Sequence, residues 1–146
     1  MSKNIQKSQK KFTSELVDFV TEFNHRYARY DLNYSLTLIY SRDEVDFNSF
    51  ESEIRKTDRF LLLEDNLCAL LFDNTAGSGA IKAADNMLTK YEAKHFGKPV
   101  YAASVSINDY NTSTEMISKL FYILRNAIDL NIENKVVDKE DIESAY

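Results

Sequence analysis

Acidic side chains fall at two places in this sequence that offer oxygen ligands to a divalent cation. Asp43 and Glu44 follow the apolar stretch YSLTLIYS, and Glu64 and Asp65 stand between the apolar runs RFLLLE and LCALLF. Carboxylates at a strand end beside a hairpin tip are an arrangement that Mg²⁺ or Mn²⁺ can use. Against this stands the commoner role of exposed acidic turns, which is solubility. No base, nucleophile or phosphate cradle is in view to complete a mechanism. TAGSGA, residues 75–80, opens a helix after a strand and offers backbone amides to an anion, but it lacks the Lys-Ser or Lys-Thr of a P-loop. A helix-entry loop is the sounder reading. Cys68 sits inside an apolar strand pattern and reads as a small core residue. His25 and His95 are the only histidines and there are no paired cysteines, so no structural metal and no cofactor are expected.

Composition bounds the function further. The chain has 146 residues, 44% hydrophobic and 28% charged, the balance of one ordinary soluble domain. Its apolar runs are far shorter than the ~20 residues that span a bilayer. MSKNIQKSQKKF has positive charge but lacks the apolar stretch of a signal peptide. A cytoplasmic protein is expected, without membrane contact. Net charge is −5, which disfavours phosphate backbones and therefore nucleic-acid partners. Lys3, Lys7, Lys10 and Lys11 gather at one end, and Glu133, Asp138, Glu140, Asp141 and Glu143 at the other. The lysines are read as a solvated helix end, with contact to an acidic partner as the second reading.

These residues must be positioned by regular elements. Phe12, Leu16, Phe19, Val20, Phe23, Tyr27 and Tyr30 recur at helical spacing from about Ser8 to Arg29. YSLTLIYS (34–41) reads as a strand. A short helix follows, capped by Asp46, with Phe47, Phe50 and Ile54 inside. RFLLLE and LCALLF, separated by a turn at Asp65 and Asn66, read as a hairpin. A helix starting near Ser78 or Gly79 runs to about His95, burying Ile81, Ala84, Met87, Leu88 and Tyr91. VYAASVSI (100–107) is another strand, and Ser113 or Thr114 opens a last long helix. NKVV adds a short edge strand. The order is helix, β-α-β-β-α-β, helix: an α+β fold with a ferredoxin-like core and a mostly antiparallel sheet, the first and third strands central. Glu64 and Asp65 then lie near Tyr40, Ser41, Arg42 and Asp43. The second and third strands are apolar on both faces, so the terminal helices help to cover the sheet. Residues 1–11 form a basic extension, 12–137 the domain, and 138–146 an acidic tail.

The order of elements, with ARYDLNYSLTLIYS, RKTDRFLLLEDNLCALLF and YAASVSIND, resembles a GGDEF domain, the palm-type diguanylate cyclase module, from about Phe12 to Val137. Such domains make cyclic di-GMP from two GTP molecules with two metal ions. Their signature sits on the hairpin turn, and a metal-binding Asp lies at the end of the first strand. Carried across, the signature positions fall on Glu64, Asp65, Asn66, Leu67 and Cys68, and the first-strand Asp falls on Tyr40. Side chains at Glu64 and Asp65 obstruct the close backbone approach that glycine permits and set negative charge against a triphosphate. A phenol, an amide and an alkyl chain cannot hold two hard cations. The stretch from Tyr40 to Asp58 has room for one helix where the family has two. The final strand's Ser-Ile-Gly reads Ser106, Ile107, Asn108, and the wedge motif is missing from NIQKSQKKF.

One family element remains. The Arg-x-x-Asp motif that binds cyclic di-GMP at an inhibitory site matches Arg55 and Asp58, at the family's spacing from Glu64. Arginine pairs bidentately with a guanine edge or a phosphate, and Asp accepts from guanine nitrogens. The favoured reading of the pair is structural, a helix C-terminal cation and a turn-capping carboxylate. The resemblance thus implies a catalytically inactive GGDEF-like domain serving signal transduction as a regulatory or protein-interaction module, with cyclic di-GMP reception through Arg55 and Asp58 as the secondary expectation. Its partner is a protein or a second copy of the chain. The aromatics of the first helix offer a surface for that, although packing on their own sheet is favoured for most. The alternative is a divergent metal-dependent nucleotide cyclase or other nucleotide-processing enzyme, built on Asp43, Glu44, Glu64 and Asp65. An RNA-binding role for the same fold is set aside, because LCALLF lacks the motif and the chain is acidic.

Overall fold

Alternation along the first strand sets up everything around it. A computed structural model describes residues 2–43, 45–75, 77–94 and 97–144. In strand β1, Tyr34–Ser41, every residue is buried. Tyr34, Leu36, Leu38 and Tyr40 join one apolar cluster, while Ile39 joins another on the opposite face. That is the period of two expected of a strand covered on both sides.

β1 is central because both neighbours pair with it along nearly its whole length. Strand β2, Arg59–Glu64, and strand β3, Leu67–Asp73, form the hairpin. β3 lies antiparallel to β1, with Thr37 opposite Leu70. Strand β4, Val100–Ser106, flanks β1 on its other side, also antiparallel. Strand β5, Val136–Val137, pairs parallel to β4 and closes a sheet of order β2-β3-β1-β4-β5. This is the α+β, ferredoxin-like arrangement read from the sequence, with the short edge strand in place. β3 is buried throughout, whereas edge strand β2 is half-exposed. β2 therefore differs from the expectation of a strand covered on both faces, since Leu62 faces solvent.

Helix α1, Ser2–Tyr30, and helix α3, Ser113–Asp129, cover one face of the sheet. Helix α2, Gly77–Lys94, and a 3-10 helix, Phe47–Glu53, cover the other. Phe47, Phe50 and Tyr91 pack ring against ring there. Asp46 caps the 3-10 helix by accepting from Asn48 N at 3.0 Å. α2 buries Ala80 rather than Ile81, beside the expected Ala84, Met87, Leu88 and Tyr91. The cap of α3 is Thr112, whose hydroxyl accepts from Glu115 N at 3.1 Å, one residue ahead of the expected Ser113.

Both ends of the chain are more structured than their composition implies. α1 begins six residues before the expected Ser8, and Ile5 is fully buried. Ile5 precedes Phe12 by two turns and extends the same stripe, hidden in sequence among Asn, Gln and Lys. Phe12 and Phe23 are buried and Phe19 and Tyr27 partly so, leaving Tyr30 as the exposed aromatic of that stripe. The acidic tail includes a short helix α4, Lys139–Ser144. Asp138 and Asp141 exchange backbone-to-carboxylate bonds of 3.0 Å at its start, a reciprocal cap, and Ile142 is buried. His95, the expected end of α2, lies outside the described residues. With three glycines in the chain, several tight corners fall to short polar side chains: Asp31, Asn74, Asn131 and Asn134 all take positive φ. Among the described residues no helix is long and apolar enough to cross a membrane.

Candidate functional site

The hairpin tip stands where the topology puts it, beside the end of β1. Ser41 N donates to Asn66 O at 3.0 Å, and Tyr40 faces Leu67 across the ladder. Glu64 pairs with Leu67, so the loop proper is Asp65 and Asn66, and the register shifts between Leu62 and Glu64. Neither loop residue has positive φ, so this is not one of the primed turns favoured in two-residue hairpins; the irregularity at Leu63 takes up the difference.

The side chains at this tip divide sharply by environment. Leu67 is buried in the cluster under α1 and α3, as is Tyr40, while Cys68 is buried in the cluster under α2. Burial pushes the Cys68 thiol well above its usual range, which keeps it protonated and unreactive. Glu64 meets Lys11 at 3.6 Å on the surface. Asp65 lines a shallow cleft of about 320 Å³ with Asp46, Asn48, Leu62 and Lys98. Asp43 is exposed, and its backbone N–H donates to Ser41 Oγ at 3.2 Å. Glu44, the fourth carboxylate of the metal-site reading, lies outside the described residues. Among the described residues, no three His, Cys, Asp or Glu side chains stand close enough to share a metal ion. Arg42 lies over the Tyr101 ring at 5.1 Å instead of pointing to the tip.

The second candidate site lies at the far end of β2. Asp58 N donates to Arg55 O at 3.0 Å, closing the turn between the 3-10 helix and β2. The Asp58 carboxylate is 2% exposed. It accepts from Arg55 N at 3.0 Å, Arg55 Nε at 3.1 Å, Arg55 Nη2 at 2.9 Å and Asp73 N at 2.9 Å. Arg55 Nη2 reaches on to Asp73 O at 2.6 Å and Thr75 Oγ1 at 2.8 Å. The hydrogen bond to Asp58 above all, helped by the charges of Asp58 and Asp73, holds the guanidinium above its ordinary range against the opposing effect of burial. The Asp58 carboxylate caps the turn, and the pair also staples it to the end of β3, a contact outside the expected helix-cation and turn-cap roles. The Arg55 side chain is nevertheless 58% exposed. It borders a cleft of about 400 Å³ that also takes in Glu53, Asn86 and Lys90.

Sequence reasoning missed the residue that joins this turn to α1. Arg26 Nη1 donates to both carboxylate oxygens of Asp73, at 3.1 and 3.0 Å. Asp73 thus binds Arg26 through its side chain while its backbone serves Arg55 and Asp58. The two partners are far apart in the chain, and an Asp closing an apolar strand gives no hint of which cation it meets. Hydroxyls form a further unpredicted feature. Ser35 and Ser106 lie 2.6 Å apart, and Thr37 donates to Ser104 at 3.0 Å, under the start of α2. Gly77 permits that close approach, since a Cβ there would stand 3.2 Å from Ser106 Oγ.

No protein-family model matches the sequence, and no curated protein matches it. Solved structures do match the fold. A microbial GGDEF domain, described in a novel mode of interaction with cyclic di-GMP, has a TM-score of 0.67 at 13% identity, covering 84% of this chain and 87% of its own. The GGDEF domain of DgcB from Caulobacter crescentus, solved in complex with c-di-GMP, has a TM-score of 0.65 at 8% identity over 84% of this chain and 85% of its own. The FimX GGDEF domain from Pseudomonas aeruginosa gives 0.65 at 10% identity, covering 86% and 92%. This chain has a GGDEF-like fold. At these identities the likeness is one of fold and carries no residue roles with it.

Proposed function

We propose that this chain is a GGDEF-fold domain without cyclase chemistry, acting as a regulatory module that binds a protein partner or a second copy of itself. The observation that carries the reading is where the signature positions lie. Of the positions that the resemblance assigns to metal ligands, Tyr40 and Leu67 are core side chains and Asn66 carries an amide, so none offers a carboxylate to a metal ion. What remains at the tip is Glu64, engaged by Lys11, with Asp65 and Asn66. A lone carboxylate beside a carboxylate in an ion pair does not assemble a two-metal centre. A divergent enzyme would have to draw on Asp43 and Glu44 as well as the tip.

A second reading has one observation in its favour. The Arg55 guanidinium is oriented by Asp58 and Asp73 yet stays largely exposed at a cleft lined by Asn86 and Lys90. In this reading Arg55 meets a guanine edge or phosphate of cyclic di-GMP, and Asp58 positions it rather than touching the nucleotide. Calorimetric titration with cyclic di-GMP, and separately with GTP and Mg²⁺, tests both. The main reading expects no heat from GTP. Binding of cyclic di-GMP that Arg55→Ala abolishes would establish a nucleotide receptor, and silence with both ligands would leave the protein-binding role alone.

A further inference from the structure

Charge is unevenly divided over this domain. Its net charge is −5, yet the first fourteen residues hold four lysines and no carboxylate. The first turn of α1 lacks the acids that complement a helix N-terminus. Of these lysines, Lys11 is taken by Glu64. Lys7 and Lys10, one turn apart, line a groove of about 630 Å³ with Gln6, Gln9, Thr13 and, from α3, Arg125. No carboxylate lines that groove, and Lys7, Lys10 and Arg125 make no ion pair among the described residues. Like charges one helical turn apart repel, at a cost of a few tenths of a kcal/mol. Among the described residues no carboxylate pairs with Lys7 or Lys10 to offset that cost.

Arg125 also connects the groove to an anchor. Its guanidinium lies 5.9 Å from the centre of the Tyr122 ring, which Lys119 approaches at 4.7 Å. Tyr122 is 39% exposed. Tyrosine and arginine are the side chains most often found at the energetic centre of interfaces.

We propose that the groove formed by Lys7, Lys10 and Arg125, flanked by Tyr122, docks an acidic segment of a partner protein. The proposal rests on the reading of this chain as an interaction module and names the chemistry of the partner. A membrane surface fits less well, because interfacial helices present apolar residues beside their cations. Here Ile5, Phe12 and Leu16 are buried against the rest of the domain. Nucleic acid is disfavoured by the chain's net charge of −5. The groove walls are instead amides and a hydroxyl, Gln6, Gln9 and Thr13, suited to the backbone groups of a peptide.

Fluorescence polarisation with a labelled peptide of alternating glutamate and serine tests this on the full chain. Lys10→Glu and Arg125→Glu are compared with Lys82→Glu, an exposed α2 site that changes net charge equally. Each groove variant should weaken binding by at least about tenfold, Lys82→Glu by less than about twofold, and salt should weaken the wild type. Circular dichroism checks that the variants fold, and exposed Lys10 keeps the test available if Arg125→Glu does not. Absence of binding at low salt, or equal loss in Lys82→Glu, would overturn the proposal. So would vesicles rich in phosphatidylserine that bind the chain and displace the peptide. The outcome is separable from the non-catalytic reading, which is judged on the response to GTP and Mg²⁺ and not on peptide binding.

Discussion

Asp58 is the residue whose role the structure specifies most fully. Its carboxylate is buried and receives bonds from Arg55 and from Asp73 N, so neutralising it strands donors inside the protein. Asp58→Asn should cost about 2–3 kcal/mol of unfolding free energy in urea, the scale for leaving buried donors to a charged group unsatisfied. Arg55→Ala should cost about 1 kcal/mol, because the guanidinium is mostly in water and Asp58 keeps two backbone donors. Equal and small losses would remove the staple. Asp65→Ala and Glu64→Ala should each change stability by no more than about 0.5 kcal/mol, as surface substitutions do. Tyr91 supplies a pH test. Burial, with a contribution from the charge of Asp43, pushes its hydroxyl up from 10.0 to about 12. The neutral phenol belongs to the folded state, so the stability it contributes is intact below pH 10 and lost as pH rises towards 12. Tyr91→Phe should therefore lose stability less steeply over that window in alkaline denaturation.

At the scale of elements, the N-terminal turns of α1 invite a direct test. Ile5 is fully buried in the cluster that includes α3, so Ile5→Ala should destabilise by about 2–4 kcal/mol. A change near zero would mean that these turns are an appendage. The strands were legible in the sequence because alternation and β-branched runs report burial on a sheet directly, as in YSLTLIYS. The hairpin was legible from two apolar runs flanking Asp and Asn. The first turns of α1 and all of α4 were not, since each rests on a single isoleucine, Ile5 or Ile142, set among polar residues. The candidate sites show the same limit. Spacing located Arg55 and Asp58, and their place at a helix-to-strand junction favoured a structural use. It had no access to Arg26 and Asp73, whose meeting depends on how α1 lies across the sheet.

The whole molecule has a GGDEF-like fold, with Tyr40, Leu67 and Cys68 buried beside the hairpin tip. In the proposed reading the fold is a frame for binding, and Lys7, Lys10 and Arg125, without ion pairs among the described residues, form a surface such a role can use. The most direct test of the central claim is to incubate the purified chain with GTP and Mg²⁺ or Mn²⁺ and separate the nucleotides by chromatography. The account predicts that GTP is recovered unchanged. Accumulation of cyclic di-GMP, abolished by Asp65→Ala, would contradict it and restore the hairpin tip as an active site.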